Sequence, residues 1–164
     1  MNKGKYLYQE VVNTTKTDFC IGVAGYPEKH YEAPNLQSDL YYLKEKVDAG
    51  ADYIVTQMFY DNNKYYEFVK VCREAGIEIP IIPGLKPLTK KIQLVNLPKI
   101  FHIDIPEELA EQVRNAESDS EVRKIGIEWA IYQSKELMKF GVPCLHYYTM
   151  GGAKTVIEIA QNVF

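Results

Sequence analysis

The stretch Tyr53-Ile-Val-Thr-Gln-Met-Phe-Tyr-Asp61, continued by Asn62-Asn-Lys-Tyr-Tyr-Glu-Phe-Val-Lys-Val-Cys-Arg-Glu-Ala-Gly76, reads as one complete strand–helix unit. An apolar, partly β-branched run from Tyr53 to Phe59 ends at Asp61, whose carboxylate can accept from the free N–H groups that open a helix. Tyr65, Phe68, Val69 and Cys72 then recur at i, i+3, i+4 and i+7, the spacing of a single helix face. Gly76 suits the left-handed position just past a helix end.

The same alternation extends in both directions. Upstream, Phe19-Cys-Ile-Gly-Val-Ala-Gly25 precedes a polar, proline-containing loop from Tyr26 to Asn35; Leu40, Leu43 and Val47 follow at helical spacing up to Gly50. Downstream, Ile79-Pro-Ile-Ile82 is short and breaks at Pro83-Gly84. Val142 to Thr149 forms the fourth run, and Met150-Gly-Gly152 leads from it into a last helix over about Lys154 to Val163. Between the third and fourth runs the pattern predicts a short helix from Thr89 to Leu97 and another starting at Ile105-Pro106. The longest helix opens at the capping box Ser118-x-x-Glu121 and stops at Gly141, with Ile127, Ala130, Ile131 and Leu137 on one face. No repeat, low-complexity stretch or linker divides the chain. Residues 1–164 are read as one domain, with 1–18 a leading helix or loop segment.

Composition narrows the function classes. The chain has 164 residues, 46% hydrophobic and 25% charged, as expected of a soluble globular domain. No apolar run approaches the ~20 residues of a membrane span, and the first twenty residues carry no apolar signal core. A net charge of -3 gives no electrostatic reason to expect nucleic acid or an anionic membrane as partner. The 13 tyrosines therefore read as core packing and ligand contact rather than as a stacking platform for bases. Cys20, Cys72 and Cys144 lie far apart, which suggests reduced thiols in a cytoplasmic protein. His102 and His146 have no partner at metal-ligand spacing, so no metal site is expected and a core or rim role suits both.

Strands alternating with helices imply an α/β fold of parallel β/α units. Two architectures satisfy the pattern: an open doubly wound sheet, or part of a closed barrel. The first strand is followed by Tyr26-Pro-Glu-Lys-His30, without the GxGxxG turn that would strengthen the doubly wound alternative. Each strand hands over to polar or turn residues (Tyr26, Gln57, Pro83-Gly84, Thr149) at the end that forms the active face of a barrel. The length, however, falls short of the ~250 residues of a complete (β/α)8 barrel.

Several segments together resemble the methylenetetrahydrofolate reductase family, flavin enzymes of one-carbon metabolism. They are Ile21-Gly-Val-Ala-Gly-Tyr-Pro-Glu-Lys-His30, Lys44-Glu-Lys-Val-Asp-Ala-Gly-Ala-Asp52, Ile54-Val-Thr-Gln-Met-Phe59, Ile81-Ile-Pro-Gly-Leu-Lys-Pro87 and His146-Tyr-Tyr-Thr149, in the family's order and spacing. The bacterial form is the nearest likeness. The resemblance implies a TIM (β/α)8 barrel of which this chain supplies the C-terminal half, about strands 5 to 8, as a gene fragment or truncated chain. It also implies FAD as cofactor, NAD(P)H as co-substrate, a folate substrate, and a homo-oligomer in the full-length enzyme. The reaction would be reduction of the CH–NH group of 5,10-methylenetetrahydrofolate to give 5-methyltetrahydrofolate, on the route to methionine.

Site residues follow from the same resemblance. Tyr26, His30, Ala33, Asp39 and Lys46 occupy positions that bind the adenosine and pyrophosphate part of FAD. The residue types suit that role, since tyrosine can stack on adenine, His30 and Lys46 can face a pyrophosphate, and Asp39 can accept from a ribose hydroxyl. Without the resemblance, a polar loop leading into a surface helix would explain them as well. Tyr42 stands where some relatives carry a polar amide. Gln57 and Gln93 match substrate-contact positions, Gln57 for the pterin and nicotinamide. Leu97 replaces a substrate-packing aromatic, and Gly151-Gly152 replaces an arginine that contacts the folate's glutamate tail, with Lys154 a stand-in for the charge. The family's general-acid glutamate and its Arg-Gly-Asp segment have no counterpart, so no catalytic residue is assigned and the chain is expected to be inactive alone. An alternative is a non-catalytic half-barrel binding or assembly module that needs a partner chain.

Overall fold

The computed structural model describes residues 19–149 and 152–164. The leading segment 1–18, Met150 and Gly151 lie outside the described residues. The elements run β1 (Gly22–Gly25), α1 (Leu36–Asp48), β2 (Tyr53–Met58), α2 (Asn62–Glu74), β3 (Ile81–Leu85), α3 (Gln93–Phe101), α4 (Glu107–Asn115), α5 (Asp119–Phe140), β4 (His146–Tyr147) and α6 (Lys154–Val163).

All neighbouring strands are parallel, in the order β1-β2-β3-β4. That order separates the two architectures, because a doubly wound sheet reverses its strand order at a switch point and a barrel does not. Coverage agrees. On β2 the buried Ile54, Thr56 and Met58 alternate with the half-buried Tyr53, Val55 and Gln57. Ile54, Ile81 and Leu85 pack with Leu43, Phe68 and Leu137 beneath the helices. On the opposite face Ala24 is exposed and Val55 and Ile82 are half-buried, so helices cover one side of the sheet. This is half of a (β/α)8 barrel, with the uncovered face as the barrel interior. A second cluster built on Met58, Leu88, Leu97, Leu109 and Val122 lies under α3 to α5.

Helix ends follow the sequence. Asn35, Asp61 and Ser118 accept from the N–H groups of Ser38, Asn63 and Glu121 at 2.8, 2.9 and 3.3 Å. The reciprocal half of the capping box is displaced: Glu121 accepts from the Glu117 N–H at 2.7 Å, one residue before the expected partner. Gly50, Gly76 and Gly141 close α1, α2 and α5 with φ of 109°, 73° and 91°.

Three expectations shift. Strand β3 runs through Pro83-Gly84 instead of breaking there. Pro83 falls at an irregularity in the β2–β3 register, where a missing N–H costs no ladder bond, and the Gly84 N–H donates to the Thr56 side chain at 2.9 Å. Only glycine fits at position 84: a Cβ would sit 2.7 Å from the Tyr148 ring and still nearer the Thr56 carbonyl. Helix α3 starts at Gln93, not Thr89, because the Gln93 side chain accepts from the N–H groups of Thr89 and Lys90 at 2.7 and 3.0 Å and holds them as a turn. It also continues past Pro98 to a left-handed His102 (φ 52°). Finally, the fourth run contributes a ladder of only His146 and Tyr147, extended by Tyr148 N–H to Leu85 O at 2.8 Å. No helix among the described residues is long and apolar enough to cross a membrane.

Candidate functional site

Parallel strands place their carboxyl ends along one edge, so the loops after β1, β2, β3 and β4 share a single face. The first of them carries the predicted cofactor residues. Tyr26 opens the loop, and its ring meets His30 edge-on at 4.6 Å. The His30 N–H donates to Asp39 on α1 at 2.9 Å, and the Ala33 N–H donates to the His30 carbonyl at 3.0 Å. Lys29 adopts a positive φ of 75° and donates from its ammonium to the His30 and Ala33 carbonyls at 2.8 and 2.6 Å. One loop turn and one helix thus bring Tyr26, His30, Ala33 and Asp39 together.

Lys46 joins them from two turns further along α1, donating to the Ala24 carbonyl at 3.0 Å. Burial lowers its pKa and Asp39 pulls it back up. Burial and the Asp39 charge both raise that of Tyr26. Tyr26, Asp39 and Lys46 line a cavity of about 10 Å³, room for a single water. A larger ligand must therefore lie across this patch rather than within it.

The two glutamines are not part of that patch. Gln57 is on the uncovered face of β2, with its side-chain oxygen accepting from the Met58 N–H at 2.9 Å. Gln93 spends its oxygen on the turn before α3, accepting from the Thr89 and Lys90 N–H groups. Phe59 and Tyr60 are core residues, and Leu97 is buried in the second cluster. Tyr42 and Lys154 are exposed, and Gly152 is also exposed just before α6.

Two further residues at this edge, Glu28 and Lys86, stand outside the set of site residues expected from the sequence. Glu28 accepts from the Asp104 N–H at 3.0 Å, across 76 residues of sequence. Tyr31 stacks on His102 with ring centroids 4.6 Å apart and 16° between planes, which gives His102 its rim role. Together these contacts tie the loop after β1 to the α3–α4 connection. Burial is the main cause that pushes the Glu28 carboxyl up to about 7. The second residue, Lys86, is buried at the end of β3. Only the Pro-Glu-Lys turn after a strand hinted at Glu28, and nothing local marked Asp104 as its partner. Among the described residues no group of His, Cys, Asp or Glu is placed to hold a metal ion.

Half of a parallel barrel, with polar and ionisable side chains gathered at its strand ends, places the chain among the (β/α)8-barrel class of α/β proteins. A sequence model of the methylenetetrahydrofolate reductase family matches residues 5–163, and the chain belongs to that family. It is 40% identical over 147 residues to 5,10-methylenetetrahydrofolate reductase of Escherichia coli, covering 89% of this chain and 50% of that protein. It is 41% identical over 155 residues to methylenetetrahydrofolate reductase (NADH) 1 of Arabidopsis thaliana, covering 88% of this chain and 26% of that protein. The chain thus spans half or less of the length of these relatives. A solved structure from Clostridium thermocellum shares the fold, with a TM-score of 0.67 at 20% identity, over 96% of this chain and 57% of that one. That protein is described as binding two copies of 5-methyl-5,6,7,8-tetrahydrofolic acid.

Proposed function

We propose that this chain is the cofactor-anchoring and substrate-positioning half of a methylenetetrahydrofolate reductase. The observation that carries the reading is the convergence of Tyr26, His30, Ala33, Asp39 and Lys46 at the carboxyl end of β1. The donor set fits a flavin dinucleotide. Lys46 keeps ammonium N–H groups for a pyrophosphate oxygen, and Asp39 has a second carboxylate oxygen for a ribose hydroxyl. Tyr26 offers a ring for adenine, held by its edge contact with His30. When bound, FAD would supply hydride transfer between NAD(P)H and the folate. Gln57, on the barrel-interior face, would orient the folate by hydrogen bonds to its pterin, with Gln93 a second contact.

Chemistry beyond positioning needs more than these residues. The sequence contains no Arg-Gly-Asp, and on the family resemblance the strands that carry the general-acid glutamate are not among those matched here. The isolated chain is therefore expected to bind flavin without turning over 5,10-methylenetetrahydrofolate. Titrating the purified chain with FAD by flavin fluorescence tests the first part. Lys46→Met should weaken binding at least tenfold, about 1.4 kcal/mol, and an unchanged affinity would overturn the assignment. Robust folate turnover by the isolated chain would overturn the second part.

A second reading is a non-catalytic module completed by another chain. It is favoured by the uncovered sheet face and by β1 and β4 standing as sheet edges among the described residues. Sedimentation separates the two, because a stable monomer argues against edge-to-edge closure.

A further inference from the structure

We propose that the cavity between α2, α4 and α5 is a binding site for a guanidinium group, carried either by a small molecule or by an arginine side chain of a peptide. The inference goes beyond the functional reading above and does not rest on it. None of the cofactor and substrate residues assigned there lines this cavity, which lies in the helical layer away from the uncovered face of the sheet.

The cavity measures about 340 Å³, within the roughly 300–1,000 Å³ of a small-molecule site. Three rings wall it, Tyr66 from α2 and Trp129 and Tyr132 from α5. Two of them are held in place before any ligand arrives. Trp129 donates its indole N–H to the Tyr60 carbonyl at 3.0 Å, and Tyr66 packs on Phe140 with ring centroids 4.4 Å apart. Tyr132 is 64% exposed and forms the open side. Aromatic faces fixed in this way attract a cation through their ring quadrupoles at little ordering cost.

Charge agrees with the rings. Asp61, Glu108 and Glu136 line the same cavity, and among the described residues no lysine or arginine does. Glu136 reaches the aromatic wall: after burial, its charge is the main cause that raises the Tyr66 pKa. Its one ion pair is with Lys139, a surface contact 2.8 Å long that is worth little. Glu108 makes no side-chain hydrogen bond or ion pair among the described residues. A separate observation calls for a ligand that carries donors. Asn62, also on the wall, donates from Nδ2 to the Gln133 carbonyl at 3.1 Å, while its buried Oδ1 has no hydrogen-bond partner. A guanidinium joins both requirements, since its planar fork of N–H donors stacks on rings and pairs with carboxylates. A quaternary ammonium brings the charge without the donors.

Trp129 is the only tryptophan of the chain, so its fluorescence reads occupancy of the cavity directly. The test titrates the full chain with methylguanidinium chloride and, separately, with the blocked tripeptide Ala-Arg-Ala, against sodium chloride at matched ionic strength. A saturable change with at least one probe is expected. Tighter methylguanidinium identifies a small-molecule source, tighter peptide an arginine side chain, and equal affinities support the shared guanidinium chemistry. Tetramethylammonium chloride should bind at least fivefold more weakly. Glu108→Gln combined with Glu136→Gln should weaken binding at least tenfold. Tyr132→Leu should weaken it several-fold, whereas Tyr132→Phe, which keeps the ring, should stay within twofold of the parent; Tyr132 is exposed, so both variants should melt with the parent chain. No saturable change with either probe, tetramethylammonium binding as tightly, or equal affinity in Tyr132→Leu would overturn the proposal. The probes contain neither flavin nor folate, so this result and the reductase reading fail independently.

Discussion

Replacing Glu28 with glutamine isolates the energetic cost of its charge. The Glu28 carboxyl accepts from the Asp104 N–H at 3.0 Å, and the glutamine oxygen can accept from the same donor. What changes is ionisation. Burial moves the carboxyl from its ordinary 4.5 to about 7, opposed first by the hydrogen bond from the Asp104 N–H and then by Lys64, with the Asp104 and Asp61 charges adding to the rise. The folded state therefore holds this proton more tightly than the unfolded chain. Stability from that proton is fully present below pH 4.5 and is lost as pH rises through about 7. A fully sealed carboxyl displaced this far would carry about 3 kcal/mol, at ~1.4 kcal/mol per pH unit. Glu28 is only half-buried, and solvent screening reduces the effect to about 1–2 kcal/mol. Glu28→Gln should thus match the parent chain near pH 4.5 and exceed it above pH 8, by about 2–8 °C in melting temperature for a domain of this size. Thermal melts of both chains from pH 4.5 to 8.5 provide the measurement. Parallel curves across that range would show that Glu28 ionises as freely folded as unfolded, and would refute the reasoning.

One further substitution and one labelling experiment test other parts of the structure. The Tyr60 hydroxyl is sealed from solvent without a hydrogen-bond partner, so Tyr60→Phe should leave stability unchanged or raise it by about 1 kcal/mol in a urea melt; a loss beyond 1 kcal/mol would reveal a bond to that oxygen. Cys72 is buried with its thiol pushed up to about 12, whereas Cys20 and Cys144 are exposed. At pH 8 a thiol reagent should label Cys20 and Cys144 within minutes and Cys72 only on unfolding, as read by mass spectrometry.

Much of the fold was legible because its signals are local. A carboxylate just before a helix face, as at Asp61, caps that helix whatever surrounds it. Gly50, Gly76 and Gly141 mark helix ends because few other residues tolerate the backbone they require. The turn before α3 was less legible, since Gln93 binds its own upstream backbone in a way that helical periodicity does not encode. Pro83 looked like a strand breaker because the tolerance for it comes from the neighbouring strand.

The candidate site divides along the same line. Tyr26, His30, Ala33, Asp39 and Lys46 stood out by motif, and all lie within 21 residues of sequence, so one loop and one helix suffice to gather them. The sequence by itself therefore determined the β/α units, their caps and this compact cluster, because each depends on contacts between near neighbours along the chain. Strand order, the uncovered face of the sheet, the Glu28–Asp104 tie and the cavity between α2, α4 and α5 were decided by tertiary structure alone. Those features arise from residues tens of positions apart, and their energies (desolvation of a charge, exclusion of a Cβ, pairing of distant backbone) exist only once the chain has packed.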